Sequence, residues 1–218
     1  VHVLQEADTD VSVLERAGSF CVETADFNAI RAADLEALAD IGEVIGANDS
    51  EKWRTKAYEV QQAVREKLIQ KDETGRLIAC DLSGTDEVPI HSSSAAQFVL
   101  FFGGCVSSAE AEELVARLQS AAFWPRYPVP STATDHPDFG PAHYWRGNVW
   151  MSVNWLIHAG LRRYGYHELA RDLAQRSAAL VGSSGFHEYF NPLSGDGYGP
   201  NQQSWTTLVL DMLVTSNL

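Results

Sequence analysis

The spacing of apolar residues along the chain predicts a series of amphipathic helices joined by short turns. In the first of them, residues 26–45, apolar side chains recur every three or four positions, and Gly46 ends the pattern. The predicted buried face consists of Ile30, Ala33, Ala37, Ile41 and Val44.

A second helix is predicted to begin at Asn48, because Glu51 follows three residues later in the arrangement of a capping box. Its apolar stripe continues to Leu68. The turn sequence at residues 72–75 then ends the helical pattern, and residues 76–80 could form a short extended segment.

The rest of the chain continues in helices. Residues 92–102 carry no charge and predict a buried helix, and Ser107 with Glu110 predicts the capped start of the next one. Three further helices are expected at residues 148–164, 167–181 and 204–214. Strand signals are nearly absent, so we predict an all-α fold of helical hairpins in series, with residues 1–218 forming a single domain.

One long connection interrupts this pattern. Residues 124–143 contain five prolines together with Phe139, Trp124 and Tyr127. Connections of this length are usually functional or disordered. The aromatic side chains favour a packed, functional loop.

Charge and composition exclude several classes of partner. The net charge is −13, which argues against nucleic-acid binding and against anionic membranes. No apolar run approaches the roughly 18 residues of a membrane helix, and no signal-peptide pattern is visible. The odd number of cysteines, three, predicts free thiols in a reducing compartment, which we take to be the cytoplasm. No metal-ligand spacing and no phosphate-binding loop is present, so neither metal nor cofactor is expected.

The chemistry is concentrated between residues 144 and 205, where aromatic rings, amides and one carboxylate lie in Gly- and Pro-rich turns. Flat apolar faces suit the C–H side of a sugar ring, and planar polar groups suit its hydroxyls. Glu188 is the candidate catalytic carboxylate because Phe186, Tyr189 and Phe190 surround it in sequence. The bland alternative is an ordinary surface glutamate or helix cap.

The candidate substrate-binding residues are Tyr144, Trp145, Arg146, Trp150 and Gln203. The rings could be sugar platforms or anchors for the helix that follows. The arginine could bind hydroxyls or a carboxylate, or form a structural salt bridge. The glutamine offers both a donor and an acceptor for vicinal hydroxyls, but it could also be a solvated turn residue.

Taken together, these segments resemble glycoside hydrolase family 63 catalytic domains. The resemblance rests on Tyr-Trp-Arg-Gly-Asn-Val-Trp at 144–150, Gly-Leu-Arg-Arg-Tyr-Gly at 160–165, Gly-Phe-His-Glu-Tyr-Phe-Asn-Pro at 185–192 and Ser-Trp-Thr at 204–206. The pattern is most similar to the bacterial branch of mannosylglycerate and glucosylglycerate hydrolases.

The resemblance implies the C-terminal half of an (α/α)6 barrel and an inverting hydrolase of small α-glucosides or α-mannosides. Glu188 then matches the general base, and Gln203 matches a substrate-binding glutamine. The family's general acid is an aspartate in an upstream motif that this chain lacks. The expected partners are therefore a small carbohydrate and either a second copy or the missing N-terminal half of the barrel. Asp135 and Asp138 are weak candidates for a substitute acid.

Two other readings remain open. The missing acid is compatible with a non-catalytic carbohydrate-binding or assembly fragment. A sugar epimerase would instead need a pair of histidines as acid and base, for which His143 and His187 are the best placed.

Overall fold

The computed structural model describes residues 21–141 and 143–216, in which helices pack beside a small β-sheet. The helices are α1 (Ala25–Ile45), α2 (Ser50–Ala63), α3 (Ala96–Val99), α4 (Ser108–Leu118), α5 (Met151–Arg163), α6 (His167–Ser184) and α7 (Leu208–Thr215). A π-helical turn, Val64–Leu68, follows α2, and a 3-10 turn, Ser204–Thr207, precedes α7. None of the described helices is long and apolar enough to cross a membrane.

The all-α prediction was wrong, because part of the chain is a sheet. The strands are β1 (Val22–Glu23), β2 (Ile69–Lys71), β3 (Leu77–Ser83), β4 (Val88–His91), β5 (Tyr189–Phe190) and β6 (Gly197–Tyr198). Strands β1, β2 and β4 each pair antiparallel with β3, and β5 pairs with β6. Most of these strands have only two to four residues, too few for an alternating pattern to be recognised. The extended segment predicted at 76–80 corresponds to the first part of β3.

The predicted buried face of α1 was also wrong. Ile41 and Val44 are exposed, at 57% and 87% of their surface. The buried residues are Ala25, Ala29, Ala32, Leu35, Ala39 and Gly42. Small side chains let neighbouring segments approach closely: a Cβ atom at Gly42 would lie 2.5 Å from Ser50 Oγ on α2. Most buried positions of α1 are therefore alanine or glycine, because close packing leaves little room for larger side chains. The prediction had instead placed larger apolar side chains, such as Ile41, in the interior.

Helix boundaries follow local capping. Ser107 and Glu110 form the predicted capping box, in which Ser107 N donates to Glu110 Oε2 at 2.6 Å. The capping box predicted at Asn48 is not formed, because α2 begins at Ser50 after Asp49, whose side chain makes no cap hydrogen bond. The helix expected at 92–102 is reduced to the single turn of α3.

A buried asparagine holds the proline-rich connection against the helices. Asn154 on α5 is fully buried; its Oδ1 accepts from Val129 N at 3.1 Å, and its Nδ2 donates to Pro128 O at 2.9 Å and to Ser177 Oγ at 3.0 Å. Because buried amides are costly when unpaired, these bonds fix one position of the loop. The prediction that residues 124–143 pack against the protein is confirmed for this part of the loop.

Two helices present apolar side chains to solvent. On α1, Phe27, Leu38, Ile41 and Ile45 are exposed and lie on one face at helical spacing. On α7, Leu210 and Val214 are exposed. The Arg31–Asp34 ion pair lies between Phe27 and Leu38 on this face of α1, so the clustered apolar residues are Leu38, Ile41 and Ile45. Clustered exposed apolar side chains of this kind are typical of an interface.

His158 is a buried, uncharged base in the core. Its ring Nε2 and Ser216 Oγ are 2.8 Å apart. Burial is the main reason that the pKa of His158 is lowered to about 4; Arg162 lowers it further and Asp211 opposes them. The unfolded chain therefore binds this proton near pH 6.5, where the folded chain does not.

Acidification should destabilise the fold through His158. Stability from this residue is fully present above about pH 6.5 and declines as the pH falls towards 4, because the unfolded state binds more protons; the loss should reach ~2–3 kcal/mol. Urea unfolding between pH 7 and pH 4 measures it. His158→Gln should flatten the profile over this range, whereas the exposed-site control His167→Gln should not. An unchanged slope in His158→Gln would contradict this assignment.

Candidate functional site

Backbone hydrogen bonds join three separate segments at the candidate site. Val149 N donates to Phe190 O at 2.8 Å, and Phe190 N donates to Val149 O at 3.0 Å. On the other side, Ser131 N donates to Asn148 O at 3.0 Å. The proline-rich connection, the segment before α5 and strand β5 are thus fixed side by side, and Glu188 immediately precedes β5.

Ser131 also fixes the turn that carries the aromatic motif. Its hydroxyl donates to Trp145 O at 2.9 Å and accepts from Gly147 N at 3.0 Å. Gly140 N donates to Arg146 O at 2.6 Å and closes the turn. The proline-rich loop therefore supports the site directly, as its aromatic content had suggested.

Four aromatic rings pack around Trp150. Trp145 is stacked on it at 4.0 Å with an interplanar angle of 9°, and Tyr189 is stacked at 5.0 Å and 25°. Tyr144 meets Trp150 edge-on at 4.9 Å and 90°, and Trp205 lies 6.3 Å away. Trp150 itself is only 2% exposed, whereas Tyr144 and Trp145 are about half exposed. Of the three candidate platforms, these two present ring surface to solvent.

The carboxylate of Glu188 lies beside this cluster and is partly exposed. Its Oε1 accepts a hydrogen bond from Tyr144 Oη at 3.0 Å. This hydrogen bond is the main reason that the pKa of Tyr144 is raised. The backbone of Glu188 is held as well: its N–H donates to Tyr198 O, and its carbonyl accepts from Trp205 Nε1, each at 3.1 Å.

Gly199 makes room for the glutamate side chain. Its φ of +69° lies in the left-handed region, and a Cβ atom there would lie 2.4 Å from Glu188 Oε2 and 2.8 Å from Glu188 Cβ. A side chain at position 199 would therefore displace the carboxylate. The Gly-Tyr-Gly segment thus has a steric role that the sequence pattern alone did not reveal.

Arg146 and Gln203 lie at the margins of the site. The guanidinium of Arg146 is exposed, and it makes no hydrogen bond or ion pair within residues 21–141 and 143–216. Gln203 is partly buried and lines a cavity of about 440 Å³ together with Phe186 and His187. Its side chain makes no hydrogen bond to Glu188 in the described part of the chain.

None of the remaining candidates forms a hydrogen bond with the Glu188 carboxylate among the described residues. Asp135 borders a different cavity, of about 670 Å³, with Arg117, and Asp138 is exposed. No ring contact or hydrogen bond links His143 to His187 among the residues described. Within the same residues, no group of three His, Cys, Asp or Glu side chains is placed to hold a metal ion.

Sequence reasoning missed three participants: Trp205, Tyr198 and Gly199. Trp205 and Tyr198 hold the backbone of Glu188, and Gly199 leaves space for its side chain. The sequence offered a signal for two of them. Tyr198 and Trp205 form a second group of aromatic residues, similar in composition to the group around Tyr144.

Comparison with known proteins identifies the family. The profile described as the mannosylglycerate hydrolase MGH1-like glycoside hydrolase domain matches residues 1–206. The chain belongs to this family.

Individual relatives agree with this assignment. The chain is 31% identical to mannosylglycerate hydrolase of Rubrobacter radiotolerans, over 98% of this chain and 49% of that protein. It is 31% identical to glucosylglycerate hydrolase of Mycolicibacterium hassiacum, over 89% of this chain and 45% of that protein. The crystal structure of GH63 mannosylglycerate hydrolase from Thermus thermophilus in complex with glucose superposes with a TM-score of 0.78 at 28% identity, covering 89% of this chain and 48% of that one.

These matches show a glycoside hydrolase family domain with the predominantly helical fold of the GH63 barrel enzymes. The resemblance noted from the sequence motifs is thereby confirmed. The chain spans about half the length of the relatives that it matches.

Gly199→Ala should displace the Glu188 carboxylate and break its hydrogen bond to Tyr144. Thermal unfolding should show a loss of more than about 1 kcal/mol, because the clash with Glu188 adds to the strain of alanine at positive φ. A crystal structure of the variant would show whether the carboxylate has moved.

Gly75→Ala is the matched control, because Gly75 has a similar φ of +79° and nothing within 4 Å of the added Cβ. It should lose stability through backbone strain alone, and so less than Gly199→Ala, and it should leave Glu188 in place. A Gly199→Ala structure with the 3.0 Å bond intact would refute the steric role of Gly199.

Proposed function

We propose that this chain is the part of an inverting α-glycoside hydrolase that carries the general base, Glu188. In this reaction the carboxylate takes a proton from water, and the water oxygen attacks the anomeric carbon. The bond to the glycosidic oxygen breaks as that oxygen receives a proton from a separate acid. The products are the free sugar, with inverted configuration, and the aglycone alcohol.

The observation that carries the proposal is the position of Glu188. It is a partly exposed carboxylate that accepts a hydrogen bond from Tyr144, with the aromatic cluster around Trp150 beside it. Unlike the capping glutamate Glu110, whose carboxylate accepts hydrogen bonds from Ser107 at its own helix start, Glu188 is hydrogen-bonded to residues that are distant in sequence: Tyr144 at its carboxylate and Trp205 at its carbonyl. Membership of a glycoside hydrolase family supports the same role.

We assign the sugar-binding surface to Trp145, which is half exposed on a rigid support. One of its faces is covered by Trp150 at 4.0 Å, which leaves the remainder for the C–H face of a sugar. Trp150, almost fully buried, acts as the support and makes no direct contact. Arg146 and Gln203 are the polar candidates for sugar hydroxyls at the two margins of the site.

The substrate class follows from the relatives. Their names identify hydrolases of mannosylglycerate and glucosylglycerate, and one structure holds glucose. We therefore propose a small α-glucoside or α-mannoside of this type as the substrate. The three free cysteines favour a reducing, cytoplasmic setting.

A partner should complete the site. No second carboxylate contacts the Glu188 cluster within the described part of the chain, and inversion requires an acid roughly 6.5–9.5 Å from the base. The exposed apolar faces of α1 and α7 are the surfaces on which further barrel helices, or a second copy, would pack. We favour the N-terminal half of the barrel, because the relatives are twice as long as this chain.

Static light scattering tests this choice of partner. The 218-residue chain by itself should be monomeric, or associate only weakly and without a fixed stoichiometry. The reason is that the apolar faces of α1 and α7 would pack against helices of the N-terminal half of the barrel. Ile41→Glu combined with Leu210→Glu should remove any residual association, whereas Lys56→Glu on exposed α2 surface should not. A stable dimer that the double substitution dissociates would show that a second copy covers these faces instead.

In an assembly that supplies the general acid, Glu188→Gln should abolish hydrolysis of glucosylglycerate or mannosylglycerate while preserving the fold. Loss of a general base typically costs about 10²–10⁴-fold in rate. Product analysis measures turnover, and thermal unfolding checks the fold. Glu73→Gln, the same carboxylate-to-amide change at an exposed turn residue, is the matched control. Normal turnover in Glu188→Gln would overturn the assignment.

The missing acid favours one competing function, a carbohydrate-binding fragment without catalysis. Calorimetry with α-glucosides and α-mannosides separates the two functions, since binding without any turnover supports the fragment. Turnover by the chain, alone or with a partner, supports the hydrolase.

A further inference from the structure

We propose that Tyr144 is a positioning residue that orients the Glu188 carboxylate, in addition to any contact with a sugar. The inference rests on the proposed role of Glu188 as the base. It assigns to the tyrosine hydroxyl a task that the composition of the motif did not suggest, since that composition pointed to a ring platform.

The direction of the hydrogen bond between Tyr144 and Glu188 supports this positioning role. Tyr144 Oη donates its single proton to Glu188 Oε1 at 3.0 Å. A phenol has one proton to give, so its remaining capacity is to accept, and it is left with lone pairs for a substrate or water hydroxyl. The carboxylate keeps further lone pairs, which can accept a proton from the attacking water.

Two ring contacts restrict the orientation of the Tyr144 side chain. It meets Trp150 at 4.9 Å and 90°, and it meets Tyr189 at 5.0 Å and 89°. These edge-to-face contacts lie on different segments of the chain and fix the direction in which the hydroxyl points. The phenol is therefore a preorganised donor and not a mobile surface group.

The backbone of Tyr144 has an unusual conformation. Its φ is +44°, which is rare for a residue other than glycine. Its carbonyl accepts from Asn148 Nδ2 at 2.6 Å, and Asn148 is fully buried. A conformation of this kind costs energy and persists only where the surroundings determine it. The buried asparagine supplies that constraint, and the outcome is a hydroxyl aimed at Glu188.

The other carboxylate oxygen is confined from the opposite side. Oε2 of Glu188 lies against the backbone of Gly199, which could not carry a Cβ atom without a clash. One oxygen is thus held by a donor and the other by steric contact. The base is kept in one orientation before any substrate arrives, as transition-state stabilisation requires.

The chemical consequence concerns turnover. Because Tyr144 holds the carboxylate in the orientation that can accept a proton from water, removal of its hydroxyl should lower kcat. Loss of a sugar platform would instead raise KM.

The direct test needs no turnover. In the full chain labelled with ¹³Cζ-tyrosine, the NMR signal that is missing from Tyr144→Phe identifies Tyr144, and its alkaline titration is then followed in the wild type and in Glu188→Gln. The midpoint should fall in Glu188→Gln, because the negative charge that disfavours the phenolate has been removed. Tyr58, exposed on α2, should titrate identically in both proteins. An unchanged Tyr144 midpoint would overturn the proposal.

A kinetic test addresses the role in catalysis. In the active assembly, Tyr144→Phe should lower kcat about tenfold with KM within about twofold, since it removes a charge-assisted hydrogen bond but keeps the ring. Tyr58→Phe should be silent. A raised KM with normal kcat would show that Tyr144 only binds sugar. Failure of the base assignment would be seen separately, as normal activity in Glu188→Gln with the titration coupling still present.

Discussion

The candidate site depends on the burial of one indole ring. Trp150 is covered by rings from three chain segments and leaves its own Nε1 buried without a hydrogen-bond partner among the described residues. An unpaired buried N–H costs about 1–3 kcal/mol, whereas each aromatic contact contributes ~0.5–1.5 kcal/mol beyond the area that it buries. With four ring contacts the stacking outweighs the lost bond, so Trp150 can anchor Trp145, Tyr144 and Tyr189 together.

This anchor explains why a loop-borne site can be rigid. The aromatic turn and strand β5 are distant in sequence, and each is short. Backbone pairing between Val149 and Phe190 sets their register, and the rings then lock side chains across it. Two separate segments hold Glu188. Tyr144 donates a hydrogen bond to its carboxylate, and Trp205 donates one to its backbone carbonyl. Preorganisation therefore comes from convergence of segments, with no single helix supplying it.

Much of this was predictable from sequence, and the failures have physical causes. Most helices were predicted correctly because their apolar period is strong, as in α5 and α6, and the capping box at Ser107 was recognised from two residues. The sheet was missed because β1 and β4 are too short to show alternation. The interior of α1 was assigned to the wrong face because tight packing selected alanine and glycine, which carry little apolar signal.

The candidate site, like the fold, was predictable from the sequence only in part. The motif predicted that aromatic side chains gather near Glu188, and Tyr144 contacts it as expected. It could not predict that the Tyr144 hydroxyl would face the carboxylate, since that depends on a positive φ set by Asn148. Nor could it separate the exposed Trp145 from the buried Trp150, because burial of a ring is decided by tertiary contacts.

The proposed function requires that Glu188 faces a sugar held on Trp145. A crystal structure of the full chain soaked with glucose would test this arrangement. We expect a pyranose ring over the open face of Trp145, with a water molecule between its anomeric carbon and the Glu188 carboxylate. A sugar bound at another surface, with this tryptophan bare and no such water beside the glutamate, would contradict it.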